Sequence, residues 1–219
     1  MNSREDILGR VRAHLGRTTA NAATATAAIA AALATPVQGP KPAVDASRRG
    51  LIARFCERSE NMSSTVDRVA DAAAVPAAIA RYLASGKLPT RAVVSPALAD
   101  REWAAAGLEV EARGAVDADM VGITGCFCAI AETGTVMLCS SPESPATVSL
   151  LPETHIAIVD ASRIVPHMED AWALVRSELG SLPRAVNFIS GPSRTGDIEQ
   201  TIVLGAHGPY RVHLVIVGE

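Results

Sequence analysis

The stretch Val212-His213-Leu214-Val215-Ile216-Val217 is a nearly unbroken apolar run, without the inward–outward alternation of a half-wet strand. A strand of that kind needs cover on both faces, as strands of parallel sheets have. Similar runs occur at Ala92-Val93-Val94, Ile156-Ala157-Ile158-Val159 and Val186-Asn187-Phe188-Ile189, with helical patterns between them. One predicted helix starts at Ser95-Pro96, with proline in its first turn, and ends at Gly107. Another places Met168, Ala171, Trp172, Val175 and Leu179 on one face. This alternation predicts an α/β fold, a mainly parallel sheet covered by helices on both faces. At 219 residues and 48% hydrophobic, the chain can bury one such core but not two enzyme-sized ones.

The core does not begin at residue 1. Ile7, Leu8, Val11 and Leu15 recur at helical spacing in a short amphipathic helix, and residues 18–34 are nearly all Ala and Thr, with only Ile29 and Leu33 as anchors. The proline-rich stretch 36–42 then reads as a linker. Residues 1–45 are therefore expected to form a helical arm, which can pack on a partner or a second copy, and residues 46–219 the α/β domain. The opening mixes charges with its apolar residues, unlike a secretory signal, and no apolar run is long enough for a membrane span, so a cytoplasmic protein is expected. A formal charge of −3 leaves no basic footprint for nucleic acid. Cys56, Cys126, Cys128 and Cys139 lack the CxxCxxC spacing of an iron–sulfur cluster and read as reduced thiols. No metal site is indicated, and the sequence leaves the cofactor open.

Three segments interrupt apolar runs with polar groups, as strand ends do where α/β folds bind ligands. In AIAETGTVML, residues 129–138, a hairpin turns at Glu132, Thr133 and Gly134, before Thr135. In ISGPSRTGDIE, residues 189–199, Ser190, Gly191, Ser193, Arg194, Thr195 and Asp197 lie between a strand and an expected helix start. In GAHGPYRVHLVIV, residues 205–217, Gly205, Gly208 and Pro209 fix a turn around His207 at the entry to the last strand. Each also reads as plain structure: a tight turn needing Gly134, a capped helix, a turn histidine. Together they predict one cleft, with Glu132 and His207 as a carboxylate–imidazole pair on neighbouring strands and the rest as ligand-binding residues.

In order and wording, AETGT, then SLLPETHIAIV at 149–159, ISGPSRTGDIE and GAHGPYRVHLVIV resemble the successive motifs of LUD-domain proteins. That group includes the small subunit of the bacterial three-protein L-lactate utilisation system, and ILGRVRAHL near the start and RFCER through STV at 54–66 resemble that small-subunit branch. The resemblance implies a fold related to sugar-phosphate isomerases, RpiA, NagB and CoA transferases. It also implies a part in oxidising L-lactate beside cysteine-rich iron–sulfur partner proteins. One segment departs from the pattern: where relatives carry a Gly-rich stretch with arginine, residues 140–147 read SSPESPAT. Carboxylates are commonly gripped by arginine, so the loop is a poor lactate clamp, with Arg194 as a substitute.

The expectation is an accessory component without its own cluster, binding a small ligand or partner subunits at strand-end loops. The alternative is a stand-alone acyl or CoA transferase, since CoA transferases of the related fold use a glutamate in an E-x-G setting and Glu132-Thr133-Gly134 has that form. A nucleotide module would have to work without either glycine-rich phosphate motif.

Overall fold

The computed structural model describes residues 3–35, 39–195 and 203–218. Residues up to Lys41 make one compact unit and those from Pro42 another. The first holds α1 (Ser3–His14) and α2 (Ala22–Ala34), neither of which buries a residue. Ile7, Val11, Leu15, Ile29 and Leu33, which form the apolar stripe legible in the sequence, are all exposed.

The second unit opens with α3 (Arg48–Asn61), capped by the Ser47 side chain, which accepts from the Gly50 N–H. Then come β1 (Thr65–Val69), α4 (Val75–Ser85), β2 (Arg91–Val94), β3 (Glu109–Ala112) and β4 (Val121–Gly125). The chain continues through β5 (Cys128–Ile130), β6 (Thr135–Cys139), α5 (Thr147–Leu150), β7 (Thr154–Asp160) and β8 (Ile164–Val165). It finishes with α6 (Met168–Glu178), β9 (Val186–Ile189), β10 (Arg194–Thr195), β11 (Val203–Leu204) and β12 (Arg211–Val217).

Six strands form the parallel sheet that the apolar runs predicted, in the order β1-β12-β7-β4-β2-β3, every pairing parallel. Against one face α4 buries Val75, Ile79 and Leu83, with Val94, Ile123, Ile156 and Val215 of the strands. The other face carries Phe55 of α3 over Ala157, Leu214 and Ile216, together with Ala129, Val136 and Leu138 from a second sheet. That second sheet, ordered β8-β5-β6-β9, shares the cover with helix α3, which refines the expectation of helices alone. Its far face is closed by α6, whose Ala171 and Val175 meet Cys128, Ile130 and Met137.

Three local expectations change. The strand at Val186–Ile189 is not part of the parallel sheet; as β9 it pairs antiparallel with β6. Its apolar residues are partly buried, Ile189 against one core and Val186 and Phe188 against the other, which periodicity cannot tell from burial in a parallel sheet. The helix expected over residues 95–107 is two short 3₁₀ turns, Pro96–Leu98 and Ala104–Ala106. Trp103 breaks it: the ring is 2% exposed, and its Nε1 donates to the Leu98 carbonyl at 2.9 Å. Finally, Arg194–Thr195 does not begin a helix but pairs antiparallel with Val203–Leu204.

Candidate functional site

Strand direction in the second sheet decides which polar residues meet. β5 and β8 run parallel and end at Ile130 and Val165, while β9 ends at Ile189 opposite Val136, near the start of β6. Glu132, His167, Thr135 and Ser190 therefore emerge along one edge. The Glu132 N–H donates to the Pro166 carbonyl at 3.0 Å, and its Oε2 faces His167 Nδ1 at 3.0 Å. The two side chains are 27% and 14% exposed, sheltered yet reachable. His167 is the N-cap of α6, and its own N–H donates to Asp170 Oδ2. Beside the pair, the hydroxyls of Thr133 and Thr135 lie 2.7 Å apart, and those of Thr135 and Ser190 2.5 Å apart. Three hydroxyls in line can reorient together, each donating or accepting.

This edge abuts the last turn of α3. Gly134 has φ +69°, and a Cβ there would stand 2.4 Å from the Ser59 nitrogen and 2.5 Å from the Arg58 carbonyl carbon. Its carbonyl accepts from Ser59 Oγ at 3.2 Å. Gly191, at φ +80°, would set a Cβ 2.1 Å from the Met62 carbonyl oxygen. Both glycines are thus required by backbone conformation and by close approach at once. Arg194 donates to the Met62 carbonyl and to Ser63 Oγ, so it ties β10 to the end of α3, which is a different use from a carboxylate clamp. Thr195 sits opposite Val203 in the short β10–β11 ladder. Asp197 lies outside the described residues.

Ser193 organises the third segment: its N–H donates to Pro209, its carbonyl accepts from Gly205, and its Oγ accepts from the His207 N–H at 3.3 Å. Gly208 packs beside the Ser193 side chain. His207 is exposed on this bend, ahead of β12, just as Met62 and Ser63 stand ahead of β1. The three segments thus share the amino-terminal edge of the parallel sheet, held by contacts from Thr133 to Ser190 and from Ser193 to His207.

The pairing expected between Glu132 and His207 takes another form, because β5 and β12 belong to different sheets. The imidazole hydrogen-bonded to Glu132 is that of His167, a residue the sequence motifs did not single out. It stands between the strand-like Ile164-Val165 and a helix start, the same kind of junction as the others. Arg58 was likewise passed over; it stands beside Gly134, and its buried Nε has no hydrogen-bond partner.

The remaining buried histidines serve packing. Burial without a counter-charge pushes His155 down to about 4; burial also holds His213 at about 4, against the opposing pull of Asp67. Both are neutral at neutral pH. Burial pushes the Cys128 thiol up to about 12, which keeps it protonated, and raises Cys126 and Cys139 as well. Among the described residues no three His, Cys, Asp or Glu side chains are placed to share a metal ion, and no helix is long and apolar enough to cross a membrane. What this edge offers is a carboxylate–imidazole pair able to exchange a proton between Oε2 and Nδ1, beside a row of hydroxyls.

The family model described as the LUD domain matches residues 52–217. Lactate utilization protein C of Bacillus licheniformis is 40% identical over 119 residues, 53% of this chain and 49% of that protein. Its namesake in Bacillus subtilis is 41% identical over 121 residues, 54% of this chain and 50% of that protein. The matched region spans about half the length of these relatives. Among solved structures, a protein of the DUF162 family from Deinococcus radiodurans superposes with a TM-score of 0.63 at 27% identity, over 80% of this chain and all of that one.

Proposed function

The chain belongs to the LUD domain family, and from that membership we propose that it is an accessory component, without an iron–sulfur cluster of its own, of a bacterial L-lactate oxidation system. In this reading it works in the cytoplasm beside cysteine-rich iron–sulfur partners; the name of its relatives, lactate utilization protein C, supports the link to lactate. Residues 46–219 supply the LUD domain, and the arm of residues 1–45, with its exposed apolar stripe, packs on a partner or a second copy. The ligand or partner surface is the shared edge where Glu132, His167, Thr133, Thr135 and Ser190 meet, flanked by Ser193, Arg194 and His207. The observation that carries this reading is the convergence: separate strand ends deliver one carboxylate, one imidazole and three hydroxyls to one place.

The test is complementation of a host lacking this gene, with partner pull-down alongside. Glu132→Gln keeps size and most hydrogen bonds, so the variant should fold, capture the partners and support growth on lactate, with ligand binding weakened about tenfold. Loss of growth from a folded, partner-binding Glu132→Gln protein would show that the carboxylate reacts, and would move the assignment to an acyl or CoA transferase.

A further inference from the structure

At the carboxyl edge of the parallel sheet, the connections from β2 and β4 part. From β2 the chain turns to β3, and that connection packs Leu98 and Trp103 with α4 on one face. From β4 it runs by way of β5 and β6 to β7, and Ala129, Val136 and Leu138 pack on the opposite face. Neighbouring strands whose connections leave in opposite directions open a crevice between their carboxyl ends, and α/β proteins place ligands there. A cleft of about 460 Å³ lies at that position, with Ser95 following β2 and Gly125 ending β4 in its wall. Its volume is within the range of small-molecule sites.

We infer that this cleft is a second binding site, built for an uncharged, largely apolar organic molecule with a polar oxygen at the Ser95 end. Among the described residues no Asp, Glu, Lys, Arg or His side chain lines it; the walls are apolar at Leu98, Phe127, Leu138 and Leu182, with serines between them. An ion entering such a cleft loses its hydration with no opposite charge in exchange. An apolar body meets apolar walls. Ser95 is 1% exposed and its Oγ has no hydrogen-bond partner among the described residues, although buried hydroxyls nearly always have one. Ser95 lines the cleft, so a ligand oxygen there is placed to satisfy that hydroxyl.

This site is distinct from the edge carrying Glu132. The strand β6 starts at Thr135 beside that edge and ends at Leu138 and Cys139 in the cleft wall. Four residue steps of strand place the two sites roughly 13 Å apart along β6. The serine-rich segment at 140–147 contributes Ser140, Ser141 and Ser144 to the cleft, which gives a use to a stretch unsuited to holding a carboxylate.

Cys139 in the wall, less buried than its neighbour Cys126, reports on occupancy, and Cys56 on α3 serves as the reference. The full chain is treated with N-ethylmaleimide with and without Nile red, an uncharged apolar dye, and alkylation of each thiol is followed by peptide mass spectrometry. Bound dye should slow alkylation of Cys139 about fivefold or more and leave Cys56 unchanged. Anilinonaphthalene sulfonate, an anionic dye, should give no such protection. A Cβ at Gly125 meets no atom within 4 Å, so Gly125→Phe can fill the cleft from a position with space, and should remove the protection and weaken Nile red binding about tenfold. Should Gly125→Phe fail to fold, Leu182→Glu, at a side chain 69% exposed, puts a charge at the cleft and should have the same effect. Unchanged alkylation at saturating Nile red, or protection that survives in the folded variant, overturns the site. Equal protection by the anionic dye overturns the ligand class.

Discussion

Lowering the pH from 8 to 5 should cost this protein about 4 kcal/mol of stability through two histidines alone. His155 donates or accepts at 2.8 Å with Thr124, and His213 does so with Thr65 while stacking on Tyr82 at 3.8 Å. Neither has a counter-ion in hydrogen-bond contact; Asp67 stands 3.9 Å from His213. Both titrate near 4 in the folded chain, against 6.5 when exposed. The folded-state values are depressed, so the unfolded chain takes up protons first. The stabilisation is complete above pH 6.5 and is lost as pH falls through about 4. At pH 5 an exposed imidazole is almost fully charged while the buried one is mostly neutral, a difference of about 2 kcal/mol per histidine. Urea unfolding followed by tryptophan fluorescence at pH 8, 6.5 and 5 measures the slope. His155→Gln and His213→Gln should each remove about half of it, whatever they do to absolute stability. Asp119 and Glu111, whose carboxyls hydrogen bonds from Arg113 hold below their usual range, lose their contribution only at lower pH and leave this window clear. A wild-type drop under about 1 kcal/mol, or a slope unaltered in both variants, would refute the reasoning.

Gly134→Ala should lose about 3 kcal/mol or more, since the new methyl enters the Ser59 backbone in a left-handed conformation; a shift under about 1 kcal/mol in urea unfolding would mean that the end of α3 yields easily. Arg163→Ala should cost about 1 kcal/mol, because its guanidinium meets both Glu178 oxygens, donates to the Phe127 carbonyl and covers that ring; a mutant as stable as wild type at low salt contradicts this. Anaerobically purified protein should show no iron–sulfur absorption, since its four cysteines lack cluster spacing, and stoichiometric iron with a charge-transfer band would count against the accessory role.

The parallel sheet was legible because doubly covered strands such as Val212–Val217 have a distinctive composition. The β5–β6 hairpin was legible because Glu132-Thr133-Gly134 punctuates two apolar runs, and Gly134 takes the positive φ that the turn reading required. The second sheet was not. Its strands are short, and Val186–Ile189 carries no mark of its antiparallel partner. The Trp103 anchor was hidden for a different reason: one indole buried against Leu98 overrides the local helical preference of an alanine-rich stretch. As for the site, the hydroxyl row combines neighbours in one turn with Ser190, so two of its three members lay in one motif. His167 comes from 35 residues beyond Glu132, and only the pairing of β5 with β8 brings them together.

The placement of β12 between β1 and β7 has a consequence for biosynthesis. Thr65 meets its partner His213 across 148 residues of sequence, so β1 emerges from the ribosome long before any strand it can pair with. At ordinary elongation rates that interval is about 7–30 s, far longer than the collapse of a short chain. Throughout it the apolar residues of α3 and the ladder edge of β1 lack their native cover, and from its synthesis onward β7 joins them with one edge open. Final assembly of this sheet therefore waits for β12 to be made, and slow elongation between β1 and β12 lengthens the period in which the nascent chain depends on chaperones.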